Sequence, residues 1–318
     1  MRAAVLQKAG AVPRLEDFPE PVASEGELLV EVLAASLKPI DKQLAAGTHF
    51  ASPREFPVVC GTDGVGRLSD GSRVFFGGPR RPYGAFAERT VVRRPQCFPV
   101  PDDLDDATAA AIPNPGVSAW LSLSHRARLA RGETVLILGA TGVTGRLAAQ
   151  IAKILGASRV VAAGRNPERL ALLPALGADA TISLSQPPDR LREAFRREHS
   201  GKRFDVIIDY LWGAPTEALL AALTEEGLAP SSSETRLVQV GESAAPAIEL
   251  PAAALRSTAL SIMGTAGLPP MEVLSAALAQ VLDHASRGHL RMETEEVPLS
   301  RLETSWNLPA ARRLVFRP

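Results

Sequence analysis

Apolar and polar positions follow two rhythms in this chain. Through about residue 100 the apolar residues alternate over short runs, at 2–7, 27–34 and 72–76, with Pro-, Gly- and Ser-rich stretches between them. That pattern predicts half-buried β-strands joined by turns, with one brief helix over 39–44. Near Asn114 the rhythm changes. A helical pattern over 117–127 leads to an unbroken apolar run at 135–138, and a second helical pattern covers 143–155. Strand patterns then recur at 159–163, 180–183, 205–209 and 235–240, separated by helical intervals at about 168–176, 188–198 and 214–223. Strands alternating with helices predict βαβ units and a parallel sheet. After Gly241 come a helix-like piece at 252–255, an apolar run at 260–264, an amphipathic helix over 271–286 and strand-like pieces at 295–298 and 312–316. The tail therefore supplies the last strand of the parallel sheet and then returns to the β-rich part. Expected domains are 1–112 with 265–318, and 113–264 between them.

The first βα junction of the central region carries the clearest chemistry. The apolar run ends in Gly139-Ala140-Thr141-Gly142-Val143-Thr144-Gly145, just where the helical pattern begins. Gly139 and Gly142 permit a tight turn and close backbone approach, and Gly145 lets the helix lie against the sheet. Free N–H groups at the helix start then suit a pyrophosphate. A glycine triplet alone is weak evidence; the flanking strand and helix strengthen it. The next junction reads Gly164-Arg165-Asn166-Pro167-Glu168-Arg169, with no carboxylate at the strand end to hold a ribose 2′-hydroxyl. Arg165, with Asn166 and Arg169, suits the 2′-phosphate of NADP instead. The competing reading makes both arginines solvated helix-start charges.

Composition narrows the alternatives. With 35 basic and 35 acidic residues among 318, the chain gives no global electrostatic case for nucleic acid or an anionic membrane. Hydrophobic content of 46% and 22% charged residues are those of a soluble protein, and no run suggests a membrane span. The N-terminal segment lacks the extended apolar core of a signal peptide, so a cytoplasmic setting is expected. Two cysteines, Cys60 and Cys97, cannot build a disulfide framework or a four-cysteine zinc lobe, and each is read as a core residue.

The segments Lys38-Pro39-Ile40-Asp41, 57–66 (PVVCGTDGVG), 83–88 (YGAFAE), 112–120 (IPNPGVSAW), 132–145 and 176–179 (LGAD) recur in order along the chain. Together they resemble the medium-chain dehydrogenase/reductase superfamily, in its zinc-free quinone oxidoreductase branch. That resemblance implies a discontinuous, β-rich GroES-like catalytic domain, a Rossmann NADP-binding domain, a cleft between them, and a homodimer. The positions that carry zinc ligands in the related alcohol dehydrogenases fall at Lys38, Thr62 and near Asn114, so catalytic zinc is not expected. It further implies NADPH-dependent reduction of quinones or α,β-unsaturated carbonyl compounds, which delocalise an incoming hydride's charge without a Lewis acid. Alternatives are a reductase or dehydrogenase for another carbonyl substrate, or an NADPH-binding sensor or structural protein without turnover.

Lys38 stands where this branch usually has Asn; it could stabilise an oxyanion or pair with Asp41. Tyr83 is a third catalytic candidate, read against a structural role with its polar tip outward. Ser118 takes the place of a threonine beside the nicotinamide. Val240-Gly241 and Met263-Gly264-Thr265 resemble loops that line the nicotinamide and its ribose. The dimer is expected to form through the run 260–263, as an edge strand pairing with its own copy.

Overall fold

The computed structural model describes residues 1–224, 234–265, 267, 269–308 and 312–318. The N-terminal elements are β1 (Arg2–Leu6), β2 (Arg14–Asp17), β3 (Glu27–Ser36), α1 (Pro39–Ala46), β4 (Val58–Val59), β5 (Asp63–Arg67), β6 (Arg73–Gly77), β7 (Arg89–Arg93), β8 (Cys97–Pro99) and α2 (Asp106–Ala111). Then follow α3 (Pro113–Leu121), β9 (Thr134–Leu138), α4 (Val143–Ile154), β10 (Arg159–Gly164), α5 (Pro167–Leu172), β11 (Ala180–Ser183), α6 (Pro188–Gly201), β12 (Val206–Asp209), α7 (Ala214–Thr224) and β13 (Thr235–Gln239). The last are α8 (Ala252–Ser257), β14 (Leu260–Gly264), α9 (Met271–Ser286), β15 (Thr294–Pro298), α10 (Leu302–Ser305) and β16 (Arg313–Arg317).

These elements group into two compact units: Met1–Asn114 with Leu278–Pro318, and Pro115–Ala277. The second break falls inside α9 rather than at the expected 264/265.

The central unit holds a six-stranded sheet in the order β11-β10-β9-β12-β13-β14, all neighbours parallel. Counted within the sheet this is 3-2-1-4-5-6, the doubly wound order. Sequence explains why it is buried on both faces: Val135, Leu136, Ile137 and Leu138 are all fully buried, as are Val206, Ile207 and Ile208. The helical pattern expected over 117–127 starts earlier, at Pro113, and closes in a π-turn, Ser122–Arg126. There the hydroxyls of Ser122 and Ser124 donate back to the Ser118 and Trp120 carbonyls at 2.8 and 2.7 Å. Such back-bonding favours local departures from the regular helix ladder.

The terminal unit is antiparallel apart from its last pair. One sheet runs β15-β16-β3-β5-β6-β8, with β7 also on β3, and a smaller one runs β2-β1-β4. β15 and β16 are parallel. Its core joins both ends of the chain: Phe86 meets Trp306 and Phe316 edge-on, with centroids 6.3 and 5.7 Å away. The sequence reading missed β2, β4, β5, β7, β8, α2 and α10. β5 (DGVGR) shows why, since its two glycines erase the apolar alternation. A Cβ on Gly66 would lie 2.5 Å from the Glu31 carbonyl oxygen and one on Gly64 2.8 Å from that of Ala34. The glycines let β3 approach closely, and the β3–β5 register shifts between Val32 and Ala34.

Candidate active site

All six strands of the central sheet point the same way, so the loops after them gather along one edge. Gly139 follows β9, Arg165 follows β10, Tyr210 follows β12, Val240 and Gly241 follow β13, and Thr265 follows β14. Gly139 and Tyr210 stand at the break in strand order between β9 and β12, the crevice where such sheets take their ligands. Gly139 has φ +85°, and its N–H and that of Ala140 both donate to the Ala163 carbonyl at 3.0 and 2.9 Å. Those bonds bend the chain off β9 and tie the turn to β10. Gly142 is the extended cap of α4, and the first helical ladder bond runs from Arg146 N–H to the Gly142 carbonyl at 3.0 Å. The amides of Val143, Thr144 and Gly145 precede that ladder and can receive an anion.

Two further glycines shape this turn. A Cβ on Gly145 would sit 2.3 Å from the Gly139 carbonyl oxygen, and one on Gly164 2.4 Å from the Thr141 methyl carbon. Gly164 therefore shapes this turn, a part that the sequence pattern does not mark. On the far side, the N–H groups of Val240 and Gly241 both donate to the Asp209 carbonyl, at 2.8 and 3.2 Å. The Asp209 carboxylate is buried and accepts from the N–H groups of Leu211 and Trp212 and from the Thr216 hydroxyl, at 2.8, 3.0 and 2.6 Å. Burial raises its pKa against the lowering effect of these three bonds. It braces the β12–α7 turn rather than serving a ligand. Gly264 is held by its carbonyl, which accepts from the Arg126 guanidinium at 2.9 Å.

At the end of β10 the side chains separate into two roles. Asn166 caps α5: its Oδ1 accepts the Arg169 N–H at 2.8 Å. Arg165 is exposed, and among the described residues its guanidinium has no hydrogen bond or ion pair. Only its backbone carbonyl is engaged, accepting from the Ser185 hydroxyl at 3.1 Å. A planar cation is thus presented with its donors uncommitted.

In the terminal unit, Lys38 and Asp41 come together at the start of α1. Asp41 Oδ2 accepts the Lys38 N–H at 2.9 Å, the return half of a capping box, and lies 3.3 Å from the Lys38 ammonium. The ammonium also meets Asp63 Oδ1 at 3.0 Å and donates to the Ser36 carbonyl at 2.7 Å. The Thr62 hydroxyl lies 3.0 Å from Asp41 Oδ1 and 3.2 Å from Asp63 Oδ2, and the Asn114 amide donates to Asp63 Oδ2 at 3.2 Å. Lys38, Asp41 and Asp63 are 2%, 2% and 4% exposed, so the cluster is sealed from water. Burial alone would lower the lysine's pKa, but Asp41 and Asp63 reverse the direction and hold it up. Asp63 is pushed up, chiefly by burial, with Lys38 pulling against it. The Lys38 ammonium thus donates to the Ser36 carbonyl and lies at ion-pair distance from two carboxylates, the pairing with Asp41 that the sequence offered beside the oxyanion role.

Tyr83 is employed elsewhere. Its hydroxyl donates to the Glu20 carbonyl at 3.3 Å, its ring meets Phe18 edge-on at 5.9 Å, and the Arg80 guanidinium lies 5.9 Å from its face. These contacts fix a loop and give no sign of catalysis. Asn114 lies in the first turn of α3. Asp63 acquires its partner only when β5 folds beside α1.

The description "zinc-binding dehydrogenase" belongs to the family model matched by residues 143–283. The quinone oxidoreductase of Thermus thermophilus, solved also with NADPH, superimposes over 100% of both chains with a TM-score of 0.82 and 29% identity. The chain belongs to the medium-chain dehydrogenase/reductase superfamily. Its fold is accordingly a Rossmann domain plus a discontinuous, β-rich GroES-like domain. Among curated relatives, the 2-methylene-furan-3-one reductase of Solanum lycopersicum is 32% identical over 207 residues, 59% of this chain and 50% of that protein. The chloroplastic NADPH-dependent alkenal/one oxidoreductase of Arabidopsis thaliana is 31% identical over 207 residues, 59% of this chain and 51% of that protein. The chain thus spans about half the length of these two relatives.

The superfamily's zinc does not fit this member's residues. Where the resemblance puts the ligands, at Lys38, Thr62 and near Asn114, stand an ammonium, a hydroxyl and an amide, all turned toward Asp63. Zinc needs thiolate, imidazole or carboxylate donors in a compact set. No group of three His, Cys, Asp or Glu suited to a metal occurs among the described residues. Lys38 supplies internally the positive charge that the two buried carboxylates require. Among the described residues no helix is long and apolar enough to cross a membrane.

Proposed function

We propose that this protein reduces quinones or α,β-unsaturated carbonyl compounds with NADPH, by direct hydride transfer and without metal. The observation that carries the reading is the pairing of an anion-receptive α4 turn with the uncommitted Arg165 at the end of β10. The amides of Val143, Thr144 and Gly145 would hold the pyrophosphate, and Arg165 the 2′-phosphate. Ser118, Val240, Gly241 and the segment Met263–Thr265 would line the nicotinamide end. Reduced nicotinamide supplies the hydride when bound. The names of the Arabidopsis and Thermus relatives support the substrate class and the cofactor.

A panel of quinones and enones assayed with NADPH and NADH tests this directly. Acceptor-dependent oxidation, faster with NADPH, is the expected result. Nucleotide binding without oxidation of any acceptor would overturn it in favour of a sensor. Arg165→Ala is expected to weaken NADPH binding roughly tenfold, the lower end for a charge-assisted contact at an exposed site, and to leave NADH unchanged. An equal loss for both nucleotides would remove Arg165 from phosphate recognition.

The cluster around Lys38 supports metal independence. Enzyme treated with a strong chelator is expected to retain full reductase activity, and reversible loss restored by zinc would refute the assignment. A cytoplasmic homodimer completes the reading. Among the described residues β14 is the terminal strand of the central sheet, and its outer edge offers backbone groups that a second copy would pair with. Light scattering at low micromolar concentration should give twice the 33.7 kDa chain mass, and a monomeric mass would exclude a stable dimer.

A further inference from the structure

The irregular end of α3 is tied to the loop edge of the central sheet. After Leu121 the chain makes its π-turn, Ser122–Arg126, in which the Ala127 N–H reaches back to the Ser122 carbonyl at 2.9 Å. One extra residue in a turn rotates the side chains after it by roughly 100° about the helix axis. Arg128 then takes φ +51°, a left-handed conformation uncommon for a residue that carries a side chain. Wide turns and residues held in such conformations cluster at functional sites, where the surroundings over-determine them.

Two arginines supply that determination. Arg236 of β13 donates to the carbonyls of Ala127 and Arg128, at 2.6 and 3.2 Å, and pairs with Glu133. In the other direction, Arg126 Nε donates to the Gly264 carbonyl at 2.9 Å, across 138 residues of chain. The first clamp fastens the π-turn to β13; the second fastens the end of β14 to the π-turn. β14 depends on it, because among the described residues it has a sheet neighbour on one side only, and Gly264 and Thr265 are exposed. The loop after β13 is held from within: the N–H groups of Val240 and Gly241 donate to the Asp209 carbonyl, and the Gln239 amide donates to the Gly241 carbonyl at 3.1 Å.

A doubly wound sheet takes one half of a dinucleotide on each side of its switch point. With the 2′-phosphate at Arg165 beyond β10, the nicotinamide half falls to the loops after β12, β13 and β14. We propose that Arg126 is the positioning residue of that half: holding the Gly264 carbonyl from the π-turn, it fixes the segment Met263–Thr265 against which the nicotinamide rests. It acts through the loop and not on the reacting atoms. The assignment rests on the nucleotide reading above and adds to it a residue on α3's extension that no glycine motif marks.

Arg126→Met keeps the side-chain stem and removes the donor. Calorimetric titration of the full chain with NADPH and with 2′,5′-ADP, which carries the 2′-phosphate but no nicotinamide, tests the assignment. The variant is expected to bind NADPH at least ~5-fold more weakly than wild type, and 2′,5′-ADP within ~2-fold of it, as the loss of one charge-assisted hydrogen bond at the nicotinamide end requires. Hydrogen exchange across residues 260–265 of the nucleotide-free protein should speed up, while β9 keeps its protection. His125→Gln, the exposed neighbour on the same turn, should change neither measurement. Equal losses for both ligands would make Arg126 a general support of the fold and overturn the assignment, as would unchanged NADPH affinity. Wild-type protein that binds neither ligand would instead overturn the nucleotide reading itself, so the two failures are distinguishable.

Discussion

Lys38→Met is expected to destabilise the protein by about 3–5 kcal/mol, the usual cost of removing one partner from a buried ion pair. Methionine approximates the lysine stem, so little packing is lost and the electrostatic effect is isolated. Two carboxylates, Asp41 and Asp63, would be left nine-tenths or more buried without the ammonium that lies 3.3 and 3.0 Å from them. The remaining donors, the N–H of residue 38 and groups of Thr62 and Asn114, are neutral and cannot balance a second negative charge. Urea unfolding monitored by fluorescence measures the loss. The double variant Lys38→Met with Asp63→Asn should recover a substantial part of it, because the uncompensated charge is gone. A single variant within ~1 kcal/mol of wild type would mean that the cluster is not what holds α1 against β5.

The central sheet was legible because its signals are local. Strands buried on both faces read as unbroken apolar runs, and the glycines at 139, 142 and 145 sit at a strand–helix boundary that periodicity alone locates. Every one of those predicted strands is present within a residue or two. The terminal unit was harder for a physical reason. Its strands β4 and β8 are only two and three residues long, and β5 substitutes close backbone approach for side-chain alternation. No window of sequence reports a contact that glycine makes by lacking a side chain.

The candidate site divides in the same way. The i,i+3 relation of Lys38 and Asp41 was readable, being set by one turn of helix. Asp63 was not, because it arrives from β5 and its importance depends on a partner far earlier in the chain. A signal did exist: the resemblance puts the zinc-ligand places of related enzymes at Lys38, Thr62 and near Asn114. Places that converge on one ion in relatives should lie together here too, and Lys38, Thr62 and Asn114 meet at the Asp63 carboxylate. Tyr83 is the converse case, a polar aromatic near a glycine-rich strand whose hydroxyl donates to a loop carbonyl, as its structural reading has it.

Gly145→Val is expected to abolish tight nucleotide binding, with at least ~100-fold loss for NADPH and NADH alike. The Cβ of any side chain there would lie 2.3 Å from the Gly139 carbonyl oxygen and 2.7 Å from the Ala140 Cα. Both are backbone atoms of the turn itself, so no side chain can rotate away to make room. The turn must move by several tenths of an ångström or more, and the amides of Val143 and Thr144 move with it. Overpacking of this kind typically costs about 1–3 kcal/mol, and a β-branched residue sits at the upper end. Gly142→Ala is the matched control. Its φ is −74° and its Cβ would meet only the Gly139 oxygen, at 3.2 Å. A few-fold loss is expected there, an order of magnitude or more below that of Gly145→Val. Isothermal titration with each nucleotide reads the ratio, and melting curves check that β9 and α4 remain folded. Equal affinity in Gly145→Val and wild type would show that the α4 turn is not where the pyrophosphate binds, whatever the role of Arg165.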